Sequence, residues 1–109
     1  MRNGLILLPS GIKCWYKDDL LHKEDGPAIE YADGDKSWYI NGKYHREDGP
    51  AIEYADGIKA WFINGQRHRI DGPAVEYHDG IKYWYLNGEH INCKNNEEFL
   101  RIVKLKAFW

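Results

Sequence analysis

Three histidine–aspartate sets, His22 with Asp25, His45 with Asp48 and His68 with Asp71, recur every 23 residues. Imidazole beside carboxylate is the raw material of general acid–base catalysis and of zinc sites, where ring nitrogens bind at about 2.0–2.1 Å. A shared site would need these sets to converge. If each unit contributes at least two strands to a sheet, successive histidines stand roughly 10 Å apart, too far to share an ion. The Asp-Gly pairs fail as calcium loops too, since such loops need several alternating oxygen ligands ending in a bidentate Glu. No catalytic residue, metal ligand or cofactor is therefore assigned. His22, His45 and His68 instead read as structural latches, each donating a hydrogen bond to the connector's backbone or to an Asp48-type carboxylate while stacking on the row Trp38, Trp61, Trp84.

The element that must position these groups is the stretch from His45 to Arg67, which matches the stretches starting at His22 and His68. The chain is a repeat array. Within a unit, Ala51, Glu53 and Ala55 alternate with Ile52 and Tyr54, as in a half-buried strand. Asp56-Gly57 supplies a turn, Lys59 to Ile63 a second strand, and Asn64-Gly65 another turn of the kind that closes hairpins. A two-residue turn at Asp33-Gly34 sets Ile29 opposite Trp38. One face then carries Ile29, Tyr31, Trp38, Ile40 and His45, and the other Ala28, Glu30, Ser37, Tyr39 and Tyr44. A three-residue bulged turn shifts the register by one and opposes Glu30 to Lys36. Asn41-Gly42 sets Tyr39 opposite Tyr44. In the connector Arg46-Glu47-Asp48-Gly49-Pro50, Pro50 begins the next strand and Gly49 is expected at positive φ.

Both ends depart from the pattern. Gly11, Lys13, Trp15 and Tyr16 keep the repeat, but Asp18-Asp19 replaces Asn-Gly and Leu5 to Leu8 replaces Ile-Glu-Tyr, as in a terminal repeat that closes an array. After Asn87-Gly88 the repeat stops. Asn95 and Glu98 form a capping-box-like start, and Phe99, Leu100, Ile102, Val103 and Ala107, with Arg101, Lys104 and Lys106, predict an amphipathic helix over about Asn96 to Lys106. The expected fold is mostly β: a single-layer antiparallel β-meander of about eight or nine strands with one short C-terminal capping helix. The 109 residues form one domain, with a degenerate repeat at about 1–21, repeats at 22–44, 45–67 and 68–90, and a helical cap at 91–109.

A net charge of −2 with interspersed signs argues against a basic nucleic-acid footprint and against an acidic mimic. Cys14 and Cys93 suggest no disulfide framework. The apolar run Leu5 to Leu8 is too short for a signal peptide or a bilayer span. An intracellular, cytoplasmic protein without membrane contact is the expectation.

Tyr39-Ile40-Asn41-Gly42-Lys43-Tyr44-His45 and Tyr54-Ala55-Asp56-Gly57, with the 23-residue period, resemble MORN-type repeats. The closest likeness is to the divergent His-Arg-Glu-Asp-Gly-Pro-Ala variant of small phage and large-virus proteins, and it covers about Gly11 to His90. The resemblance implies an elongated hairpin sheet used for protein contacts, with a viral origin among its implications. In that setting the concrete version is a small phage-encoded inhibitor in the host cytoplasm, occupying the surface of a host protein such as a defence nuclease. A different class is represented by Tyr83-Trp84-Tyr85-Leu86-Asn87-Gly88, which is similar to choline-binding hairpin repeats. That likeness implies aromatic clefts holding a choline, sugar or nucleotide-type ligand.

Residues identical in every unit are most simply explained by the scaffold, so partner specificity should reside where units differ. Tyr39, Tyr44, Phe62, Arg67 and Tyr85 have the composition of an interface centre and are the candidate partner-binding residues. A helix of about 18 Å covers less than half of a sheet on the order of 40 Å long. The remaining apolar face must be covered by curling or by another chain, which predicts a homodimer or hetero-complex.

Overall fold

The structure, a computed structural model, describes residues 1–106; Ala107, assigned above to the helix, lies outside them. The chain is mostly β, an antiparallel meander with one short C-terminal helix. Its strands are β1 (Gly4–Leu7), β2 (Lys13–Lys17), β3 (Leu20–Leu21), β4 (Ile29–Glu30), β5 (Lys36–Ser37), β6 (Tyr39–Ile40), β7 (Lys43–Tyr44), β8 (Ile52–Glu53), β9 (Lys59–Ala60), β10 (Phe62–Ile63), β11 (Gln66–Arg67), β12 (Val75–Glu76), β13 (Lys82–Leu86) and β14 (Glu89–Ile91). The helix is α1 (Asn96–Lys106). The main sheet runs β1-β2-β4-β5-β8-β9-β12-β13-β14, with β3 on β2, while β6–β7 and β10–β11 form separate hairpins. The molecule measures 47 × 32 × 18 Å.

Two turn chemistries set the register. Asn41 and Gly42 take φ of 50° and 80°, the left-handed pair that a two-residue hairpin requires, so Tyr39 faces Tyr44 as the sequence predicts. Asp33-Gly34 instead belongs to a three-residue turn. Tyr31 N–H donates to Asp35 O, Gly34 N–H donates to Tyr31 O, and Gly34 sits at φ 99° as the bulge residue. The Asp33 carboxylate locks the turn by accepting from Asp35 N–H at 3.0 Å. The register is therefore the shifted one, with Ile29 opposite Ser37 and Glu30 opposite Lys36. This corrects the face partition derived from a two-residue turn, because Ser37 shares the face of Ile29 and Trp38 falls on the other side. Ser37 and Ala60 are buried beside Ile29, Ile52 and Val75.

At Trp15, Trp38 and Trp61 the chain changes hydrogen-bonding partners. Trp38 N–H donates to Ala51 O in the main sheet at 2.7 Å, while Trp38 O accepts from His45 N–H in the hairpin at 3.1 Å. Trp61 does the same with Ala74 and His68, and Trp15 with Ala28 and His22. The hairpins thus form a second row beside the main sheet, stitched by Gly65 N–H to Tyr44 O and Gly88 N–H to Arg67 O, both at 2.8 Å. Phe62 and Tyr44 from this row pack with Ile52, Ala60 and Val75 of the main sheet. Curling therefore covers part of the apolar face.

The fourth unit is closed by α1. Asn95 Oδ1 caps it by accepting from Glu98 N–H at 2.9 Å, Glu97 and Glu98 occupy the first turn, and Lys104 and Lys106 the last. Phe99 is fully buried against Trp84 and Ile91, and Trp84 Nε1–H donates to Asn96 Oδ1 at 3.1 Å. No helix among the described residues is long and apolar enough to cross a membrane.

Candidate interaction surface

The histidines are acceptors, which corrects their predicted role as donors to the connector. His22 Nδ1 accepts from Asn41 N–H at 2.9 Å, His45 Nδ1 from Asn64 N–H at 3.0 Å and His68 Nδ1 from Asn87 N–H at 2.9 Å. Each ring ties the start of its unit to that same unit's Asn-Gly turn, so the proton of the neutral ring sits on Nε2. His22 Nε2 is buried without a well-aligned partner, 3.5 Å from a Glu24 carboxylate oxygen. Among the described residues no three His, Cys, Asp or Glu side chains are grouped as a metal ion would need.

Sequence reasoning missed the residue that organises the connector. The Arg46 guanidinium sits over the Trp38 ring, its Cζ 3.9 Å from the centroid. From there Nε–H donates to Asp48 at 2.9 Å, and one terminal nitrogen donates to Pro50 O at 3.1 Å and to Glu53 at 3.3 Å. Arg69 repeats every contact on Trp61, Asp71, Pro73 and Glu76, and Lys23 stands 3.8 Å over Trp15. This hydrogen bond holds the Asp48 carboxyl below its ordinary range. The clamp also explains Gly49, which does not adopt the expected positive φ: a Cβ there would stand 2.9 Å from Arg46 Cζ. The signal was present in the sequence, as a cation eight residues beyond Trp15, Trp38 and Trp61 that becomes Asn92 beyond Trp84. There Phe99 packs on Trp84 instead, with ring centroids 6.3 Å apart.

With His45, Arg46, Asp48 and Glu53 and their counterparts His68, Arg69, Asp71 and Glu76 bonded within the scaffold, the aromatic row and the varying residues beside it remain. The structure joins all five candidate contact residues into one row. Tyr39 and Tyr44 stack with centroids 4.5 Å apart, Tyr44 meets Phe62 at 5.0 Å, and the Arg67 guanidinium bridges Phe62 at 5.6 Å and Tyr85 at 5.5 Å. The row continues from Tyr85 to His90 at 5.3 Å, on to Tyr83 at 6.0 Å and to Tyr77 at 5.9 Å. Phe62 forms its buried floor, Tyr39, Tyr44 and Tyr85 are half-buried, and Arg67, Tyr83 and His90 are exposed. Burial, and then the hydrogen bond with Tyr44, raise the Tyr39 phenol strongly, so it stays neutral. Tyr31, Tyr54 and Tyr77, repeated at the same point of each unit, are also exposed, which the repeat-identity argument did not foresee.

On the tryptophan side, clefts of about 760 and 740 Å³ open between successive connectors, lined by Trp38 with Arg46 and by Trp61 with Arg69. Their aromatic faces are already covered by the chain's own cations. No protein-family model matches the chain, and no curated protein matches it.

Proposed function

We propose that the chain is a non-enzymatic repeat module that binds a protein partner along the row from Tyr39 through Tyr44, Phe62, Arg67 and Tyr85 to His90. One observation carries this reading: the recurring His, Arg and Asp groups of the connectors are bonded within the scaffold, while a continuous aromatic row incorporates Tyr44, Arg67 and His90 from a position at which the units differ. Rigid aromatic side chains flanking an arginine have the make-up of a binding hot spot, and the row is held by backbone pairing rather than by mobile loops. The likeness to MORN-type arrays points the same way, and a virus-encoded chain of this kind would act as an inhibitor of a host protein such as a defence nuclease. Covered tryptophan faces weigh against a choline-like ligand, which would have to displace Arg46 or Arg69 from the rings it needs.

The test is affinity capture from host lysate with the wild type and with the Tyr44→Ala, Arg67→Ala double variant, followed by titration of the retained protein. Binding at least tenfold weaker in the variant, with unchanged circular dichroism, is expected. Equal binding by both would remove the row as the contact surface.

A further inference from the structure

Cross-strand charge alternation runs the length of the main sheet and stops at its first strand. Lys13, Glu30, Lys36, Glu53, Lys59, Glu76 and Lys82 stand opposite one another in succession, and the position that continues the series on β1 is Leu7, opposite Lys13. Where the full units carry buried Ala28, Ala51 and Ala74, β1 carries Leu5. Leu5 and Leu7 are 52% and 64% exposed, and Leu8 beyond them is 40% exposed. Edge strands ordinarily carry a charge, a proline or a bulge that discourages pairing, and Gly4-Leu5-Ile6-Leu7 has none of these. Among the described residues no strand pairs with its outer edge. Arg2 N–H donates to Asp19 Oδ1 and Asp18 N–H donates to Asn3 Oδ1, which holds the residues before β1 against the β2–β3 turn and away from that edge.

The backbone register identifies what fits. Leu8 N–H donates to Ile12 O, and in an antiparallel ladder inward and outward groups alternate, so the N–H and C=O of Leu5 and Leu7 point away from β2. Two such edges related by a two-fold axis at Ile6 place each Leu5 opposite the other copy's Leu7, with both residues' outward groups in register to exchange hydrogen bonds. Leu5 and Leu7 then meet on one face and Ile6 meets Ile6 on the other. No charge opposes a like charge, because β1 has none, whereas the opposite edge strand β14 carries Glu89.

We propose that two copies of this chain associate edge to edge through β1, giving a continuous sheet with the two aromatic rows at its outer parts. The contact is isologous and closes at two copies. It lies apart from the row assigned to the protein partner, so each can fail without the other.

Sedimentation over a concentration series tests it, using the wild type, the Leu5→Lys, Leu7→Lys variant, the Leu5→Glu, Leu7→Glu variant and their equimolar mixture. The wild type is expected to shift from monomer to dimer. Each charged variant should remain monomeric, with the dissociation constant raised at least tenfold, and the mixture should dimerise again because Lys then faces Glu. Leu7→Pro gives a second test that spares the ladder to β2, since the N–H it removes faces outward; it should be monomeric with an unchanged circular dichroism spectrum. A wild type that stays monomeric up to about 1 mM, the weak end of specific association, would overturn the proposal. So would a dimer that persists in both charged variants or in Leu7→Pro.

Discussion

His45 holds the backbone proton of Asn64, in the turn of its own unit, on Nδ1, and that polarity dictates which replacements it tolerates. The amide oxygen of Asn falls near the place of Nδ1, whereas the amide of Gln falls near Nε2. His45→Asn should therefore lose less stability than His45→Gln, and the latter about 1 kcal/mol, the usual net worth of a hydrogen bond, read from denaturant midpoints. Gln equal to or better than Asn would show that the ring's packing, not its acceptor, matters. Gly49 gives a second contrast. Because its obstruction is the Arg46 guanidinium and not a left-handed backbone, Gly49→Ala should cost only what displacing that guanidinium from its bonds costs, and less in combination with Arg46→Ala, a coupling of about 0.5–3 kcal/mol in a double-mutant cycle. Additive losses would return the explanation to the backbone. The Asp48 carboxyl titrates lower when folded than its ordinary 3.8, owing to the Arg46 hydrogen bond. Its contribution is thus present above the unfolded value and is lost as pH falls through the folded one. Asp48→Asn should melt below the wild type at neutral pH, and the gap should close as pH falls through the folded value, where the carboxyl becomes uncharged like the amide. A constant gap across that range would rule out the ionised pair as the cause.

Among the elements, α1 takes the place that a further Arg-bearing connector would fill, and it does so through one side chain. Phe99 is fully buried and rests on Trp84 and Ile91, so Phe99→Ala should cost about 3–5 kcal/mol, whereas Leu100→Ala, on the exposed side, should change little. Similar losses in thermal melts of both variants would refute a cap that acts through this ring. The helix was legible in the sequence because its signals are local: Asn95 before Glu98, acids first and bases last, apolar spacing between. The Asn-Gly hairpins were legible for the same reason, since both left-handed residues lie inside the turn. Asp33-Gly34 was not, because the same dipeptide serves a two-residue turn or the end of a three-residue one. The choice is made by Gly34 as a bulge and by the Asp33 carboxylate on Asp35 N–H. Nor was the change of partners at Trp15, Trp38 and Trp61 legible, since it depends on one residue's N–H and C=O going to different neighbours. The histidine polarity and the arginine clamp stayed hidden for a related reason. Each joins residues whose closeness follows from that change of partners, and the clamp closes on a Glu seven residues further along. By contrast, the five candidate contact residues were found from the sequence, Tyr39, Phe62 and Tyr85 as aromatics recurring on one face and Tyr44 and Arg67 as the residues beside them that differ from unit to unit.

At the scale of the molecule, the backbone bonds between units recur at equivalent positions, which fixes what a deletion of one whole unit must do. Without residues 45–67, Tyr44 would run directly into His68. β5 would then meet β12, placing Lys36 opposite Glu76 and Ser37 opposite Val75, the kind of pairs β5 now makes with β8. Arg69 would stand to Trp38 as Arg46 does, and reach Asp71, Pro73 and Glu76 through its existing bonds. Tyr44 would meet Tyr85 where it now meets Phe62, and Gly88 N–H would donate to Tyr44 O as Gly65 does. His22 would keep Asn41, and α1 would keep Trp84. Such a chain should fold cooperatively with the same circular dichroism shape. Its melting temperature should fall by an amount set by one lost unit and one lost interface, as expected of an array whose stability is a sum over neighbours. A deletion of 49–60, of similar kind but out of phase, would set Asp48 against Trp61 and leave Arg46 without Pro50 or Glu53. It should not fold. If instead the in-phase deletion unfolds as thoroughly as the out-of-phase one, the units are not interchangeable, and the fold depends on the features that distinguish them.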